Sequence, residues 1–144
     1  MNKELLQQYK DAIYVIEDQG HKIVLEHAGK HAESDLLLER YRATLAAFIT
    51  PENPFSIVLS NEQNALRHEQ FKEILKERNL HFLTGYGTDV EGKWGKEISY
   101  LIMIKDKATS DELSKVFGQN AYLVVSKGYA PMLRCMQPIK YKDL

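Results

Sequence analysis

Two residues of this chain pair proton-transfer chemistry with an unusual setting. Glu97 opens the apolar run "EISYLIMI", and His68 lies in the helical segment that follows Ser60. A carboxyl at the entrance of a strand covered on both faces needs a cation, several donors or a raised pKa. A group tuned in that way is a candidate general acid or base, with Glu97 the first choice and His68 the second. Around them stand the amides Asn53, Asn61, Asn64 and Gln119 and the hydroxyl of Ser99. Amides near a helix N-terminus, with its free N–H groups and positive dipole end, suit a small polar ligand that is neutral or anionic, nucleotide-like or amino-acid-like. Ser99 has no evident activating partner, so no nucleophile is assigned. Each residue also has a plainer role. Asn61 and Asn64 can brace the loop from Thr50 to Ser56, and Glu97 can be solvated beside Lys93 or Lys96. Gln119 and Asn120 can serve a turn.

Other patterns fail a context test. Gly87-x-x-x-x-Gly92-Lys93-Trp94 is one residue short of a phosphate-binding loop, since Trp94 offers no hydroxyl and a strand follows where a helix is required. A glycine-rich loop that could act as a lid fits better. His27, His31 and Asp35 have metal-ligand spacing for one helix, but Gly29 interrupts it, and no metal is expected. Cys135 is the lone cysteine, so there is no internal disulfide; a packed, inert thiol in a reducing, cytoplasmic setting is expected. No cofactor is implied.

These residues must be positioned by regular elements. Residues 3–10 read as a short amphipathic helix, and "AIYVIEDQGHKIVLE" as a hairpin around Asp18-Gln19-Gly20. "SDLLLERY" reads as a short helix capped by Ser34, and "TLAAFIT" as a buried strand. Ser60 and Gln63 form a capping box for a helix that runs to about Arg78. On its wheel Phe71 and Leu75 define one stripe; Asn64 and His68 fall on it, and Asn61 lies at its margin. The residues preceding Pro51 and Pro54 are biased to extended geometry. "LHFLTG" is a strand and "EISYLIMI" a central one, apolar on both faces. Thr109 and Glu112 suggest a second capping box, with Leu113, Val116 and Phe117 as the buried face and Gly118 as the stop. "AYLVV" and "YAPMLRCM" make a closing hairpin, with Pro131 marking an edge strand. The expected fold is α+β: a single domain with a largely antiparallel or mixed sheet, helices packed on it and hairpins near both termini.

The 144 residues, 44% hydrophobic and 27% charged with a net charge of −1, suit a water-soluble domain. They give no electrostatic case for nucleic acid or an anionic membrane as partner. Thr50 with Asn53-Pro54, then Asn61 and Asn64, then Glu97-x-Ser99, then Phe117-Gly118-Gln119-Asn120-Ala121 resemble an uncharacterised bacterial family, number three-two-nine-three of the domain-of-unknown-function series. The resemblance spans about Tyr9 to Leu133. It departs at Pro51, where the family commonly has a small residue. It implies a small soluble domain of bacterial or phage origin and supplies no activity. Two functions compete: a polar pocket for a small ligand, with or without catalysis, and a non-catalytic protein-binding module. The second would act through an edge strand or apolar patch, with Tyr122, Tyr129 and Tyr141 as exposed aromatics.

Overall fold

A computed structural model describes residues 1–92 and 95–136. Lys93, Trp94 and Tyr141 lie outside the described residues. Helix α1 (Lys3–Asp11) leads into strands β1 (Ile13–Asp18) and β2 (His21–Leu25). The turn between them has Gln19 and Gly20 both at positive φ, the mirror-image turn that matches strand twist. Then follow α2 (Ala32–Arg40), β3 (Leu45–Ile49), a 3-10 turn (Pro54–Ser56), α3 (Asn61–Glu77), β4 (Phe82–Thr88) and β5 (Glu97–Met103). Helix α4 (Lys107–Val116) and the hairpin β6 (Ala121–Ser126) and β7 (Met132–Cys135) complete the described elements.

The seven strands form one sheet in the order β2-β1-β4-β5-β3-β6-β7, with every neighbouring pair antiparallel. The fold is α+β, and β5 is central as its apolar run requires. The sheet curls into a half-barrel. Gly85 permits a close approach within it, since a Cβ there would fall 2.1 Å from the Val15 carbonyl oxygen. Strand β7 ends the order, yet its edge is not open. Ala28 N–H donates to the Pro131 carbonyl (2.7 Å), and Leu133 N–H donates to His27 Nδ1 (2.9 Å). The segment after β2 therefore covers β7, which weakens the case for strand addition at this edge.

Side-chain alternation divides the core by face. On one face Ala47, Ile49, Tyr100, Ile102 and Tyr122 pack under Phe71 and Leu75 of α3 and Leu113 and Phe117 of α4. On the other, Ile16, Phe48, Leu101, Leu123 and Val125 surround Leu37 and Leu38 of α2. Several local expectations are corrected. Ser34 is not a cap: it is buried one turn inside α2, and its hydroxyl donates to the His31 carbonyl. Helix α4 starts earlier than the Thr109–Glu112 box implies, because the Asp106 side chain accepts from Thr109 N–H. Val116 points outward, although Leu113 and Phe117 are buried. Tyr122 is buried rather than exposed, with its hydroxyl donating to Asp111 (2.7 Å), whereas Tyr129 is exposed. His31 pairs with Asp35 (2.8 Å), and His27 is held by β7; among the described residues no cluster has the makings of a metal site.

Candidate functional site

The site gathers at one end of the sheet, where β3 leaves it and β5 and β6 enter it. The loop from Thr50 to Ser60 crosses this end, and α3 starts from it. Ser60 caps α3, accepting from Gln63 N–H (3.1 Å), while Gln63 Oε1 accepts from Ser60 N–H (3.0 Å). This reciprocal box fixes where the helix begins, and so where Asn64 and His68 project.

Asn53 is the hub. Its Nδ2 donates to Glu97 Oε2 (2.8 Å). Its Oδ1 accepts from Leu59 N–H (2.9 Å) and from Asn64 Nδ2 (3.0 Å). Its own N–H donates to Asn64 Oδ1 (3.1 Å), so the two asparagines are doubly bonded. The residue before a proline was expected to be extended, yet Asn53 sits left-handed at φ 49, ψ 65. Asparagine tolerates that region best among residues with a side chain, and its four bonds hold it there. Phe55 (φ 54) and Ser56 (φ 60) follow in the same sense.

A second group ties the loop to the sheet. Thr50 Oγ1 donates to the Ile98 carbonyl (2.8 Å) and accepts from Glu52 N–H (3.1 Å). Glu52 Oε2 accepts from Ile98 N–H (2.9 Å) and bonds His68 Nε2 (2.7 Å), whose Nδ1 bonds the Tyr100 hydroxyl (2.8 Å). A neutral imidazole satisfies the row when Nε2–H donates to Glu52 and Nδ1 accepts from Tyr100. Burial, and then Glu52, pushes the Tyr100 phenol up to about 12, so it keeps its proton near neutrality. Both nitrogens of His68 are thus engaged within the protein.

The segment after α4 closes on the loop from the other side. Gly118 ends the helix at φ +67, and its carbonyl accepts from Phe55 N–H (2.7 Å). A Cβ at 118 would fall 2.9 Å from Pro54 Cβ and 3.0 Å from the Phe55 ring, so glycine is required twice over. Gln119 Nε2 donates to the Glu52 carbonyl (2.9 Å) and Asn120 Nδ2 to Ser56 Oγ (3.1 Å). Arg67 completes the clamp: Nε donates to the Pro51 carbonyl (2.6 Å) and a terminal nitrogen to the Phe117 carbonyl.

Of the residues singled out from sequence, Asn53, Asn64 and Glu97 are joined directly, and His68 and Gln119 are joined through Glu52. Asn61 is exposed and takes no part in these bonds, which corrects its expected place in the cluster. Ser99 is buried, with its hydroxyl donating to the Glu97 carbonyl (2.9 Å). Glu52 and Arg67 were missed. Arg67 was within reach, since it falls only about 60° from Asn64 on the α3 wheel. Glu52 carried no comparable signal. Glu97 is half-buried; burial pushes its carboxyl up, the Asn53 amide opposes this, and the Glu52 carboxylate adds to it. Two grooves are present, the first bordered by the same Arg67. One of about 440 Å³ runs along α3 and α4 past Arg67, Ile74 and Val116, and one of about 550 Å³ lies over β6 and β7.

The family model described as "Protein of unknown function (DUF3293)" matches residues 49–122, just over half of the chain. The chain belongs to this family. The matched span holds Thr50, Glu52, Asn53, Arg67, His68, Glu97 and Gln119, which together build the braced loop; α1 and β7 fall outside it. No curated protein and no solved structure matches the chain. Among the described residues no helix is long and apolar enough to cross a membrane.

Proposed function

We propose that this chain is a non-catalytic binding module whose recognition element is the loop at 53–59, and that its partner is a protein or peptide. The observation that carries this reading is the exposure of three consecutive-region apolar side chains, Phe55 (55%), Ile57 (61%) and Val58 (86%), on a loop held in disfavoured backbone geometry. Left-handed non-glycine residues persist only where the surroundings over-determine them, and they cluster at ligand clamps and switches. Here the surroundings are Asn53, Asn64, Glu52, Arg67 and Gln119. Their polar groups are engaged with one another and with the backbone, which suits a brace.

The test is selection of peptides from a random displayed library against the full chain, followed by titration of a selected peptide. Val58→Asp and Phe55→Ala should each weaken it at least about tenfold with the fold retained by circular dichroism. Affinity unchanged in both variants would overturn the reading.

A second reading has its own observation. Glu97 is a half-buried carboxyl whose pKa is raised by burial, and its donor among the described residues is the neutral Asn53 amide rather than a cation. Such a group suits a small polar ligand that supplies a donor or a positive charge. A metabolite thermal-shift screen tests it: stabilising hits should vanish in Glu97→Gln, and hits that persist there would refute a role for Glu97.

A further inference from the structure

Helix α1 is docked differently from the other helices. None of its residues is buried, and Leu5, Leu6 and Tyr9 are only half-covered. Its polar ties to the body converge on Tyr9. The Tyr9 hydroxyl meets Ser56 Oγ (3.1 Å), and the Tyr9 carbonyl accepts from the Tyr14 hydroxyl (2.9 Å). Ser56 Oγ in turn accepts from Asn120 Nδ2 (3.1 Å). The Tyr9 phenol thus reaches the braced loop itself. Desolvation raises its pKa, while Ser56 and Asn120 oppose that rise by bonding to it.

We infer that the slot filled by the Tyr9 ring is a subsite for a hydroxyl-bearing aromatic ring, and that Tyr9 is a built-in occupant displaced with α1 when such a ring binds. The chemistry of the slot fits. Ser56 and Asn120 offer a hydroxyl and an amide donor to a phenolic oxygen, and Tyr14 becomes a free donor once the Tyr9 carbonyl leaves. The mechanics fit as well. Nine residues form too short a helix to be stable alone in water, so α1 keeps its shape only while docked. Displacement then gives up the contacts of the half-covered Leu5, Leu6 and Tyr9 together with the helix itself. This inference deepens the small-ligand reading and rests on it for whatever part of a ligand lies beside Glu97.

The experiment uses the full chain and 4-methylphenol, with toluene as the control of equal shape lacking the hydroxyl. In Tyr9→Ala, 4-methylphenol should raise the thermal midpoint and bind at least about tenfold more tightly than toluene, a preference of about 1.4 kcal/mol. Adding Ser56→Gly, which removes the hydroxyl and keeps the left-handed backbone relaxed at φ 60, should erase that preference. In the unaltered chain, 4-methylphenol should speed amide hydrogen exchange of residues 3–11 and leave β5 unchanged. Equal binding of phenol and toluene to Tyr9→Ala, or exchange of residues 3–11 that does not respond at saturating phenol, would overturn the inference. Both readouts are repeated in Glu97→Gln. Phenol binding kept there, with metabolite hits also kept, sinks the role of Glu97 and leaves the subsite standing.

Discussion

Replacing Asn53 by alanine removes the hub of the loop, and the structure sets the size of the effect. Three side-chain bonds are lost: to Glu97, from Leu59 N–H and from Asn64 Nδ2. An unsatisfied buried polar group costs roughly 1–3 kcal/mol, and water reaches this half-buried site, so the low end applies and the three bonds sum to about 3 kcal/mol. Alanine at φ 49 adds about 1 kcal/mol, since the left-handed region is less favourable for it than for asparagine. The expected loss is about 4 kcal/mol. With an unfolding entropy near 2.1 cal/mol/K per residue, that lowers the melting midpoint of a chain this size by roughly 13 °C. Asn53→Gly loses the same bonds but keeps the backbone relaxed, so it should lie about 1 kcal/mol above the alanine variant. Urea unfolding of both, combined with Asn64→Ala in a double-mutant cycle, measures the coupling directly. A coupling of about 0.5–3 kcal/mol is expected for residues in one network. Additive effects, or a loss below about 1 kcal/mol for Asn53→Ala, would show that the loop is held by something other than these amides.

Two further outcomes follow from the same geometry. Gly118→Ala forces a side chain into the left-handed region and against Pro54 and Phe55, so it should cost about 2–4 kcal/mol in urea unfolding; a loss under about 1 kcal/mol would mean that the loop and the segment after α4 part easily. Glu97 holds its proton more tightly in the folded protein than in the unfolded chain, so its contribution to stability is complete below the ordinary carboxyl value of 4.5 and is lost as pH rises through the raised folded value. The unaltered chain should therefore lose stability relative to Glu97→Gln between about pH 4.5 and neutrality, and a flat or opposite difference in urea midpoints would refute the desolvated placement of this carboxyl.

The elements were legible where one local rule governed them. The Ser60–Gln63 box, the Gln19-Gly20 turn, the Gly118 stop and the doubly apolar β5 each announce themselves through a spacing or a residue type, and each stands in the structure. Errors came where two rules competed. Ser34 and Thr109 are good caps by type, but His31 and Asp106 upstream start their helices first, and Ser34 then satisfies its hydroxyl within the turn. Asn61 shares the residue type of Asn64 and lies only about 60° from it on the wheel, but it is the first residue of α3, directly after the Ser60 cap, and it stays exposed there. Glu52 was illegible for a different reason. A loop has no periodicity to say which way a side chain points, and the partners of Glu52 come from α3 and β5, 16 and 46 residues away in the chain.

The polar residues and the exposed apolar ones are two parts of one mechanical arrangement. A relaxed connection from β3 to α3 would need neither left-handed Phe55 and Ser56 nor a clamp on each side of them. The strain of such residues is of order 1–3 kcal/mol each, and it destabilises the fold unless the loop's shape is itself selected. The bonds from Asn64, Arg67 and Gln119 are on the scale needed to offset it, at about 1 kcal/mol net each, with those to the charged Arg67 somewhat stronger. Held this way, Phe55, Ile57 and Val58 face water with little freedom to fold back onto the protein. A preorganised apolar loop loses less conformational entropy on meeting a partner than a mobile one does. On this account a variant that loosens the clamp, such as Asn53→Gly, should weaken partner binding even though it touches none of the three exposed side chains. Binding undiminished in a loosened loop would separate the brace from recognition and leave it a purely structural device.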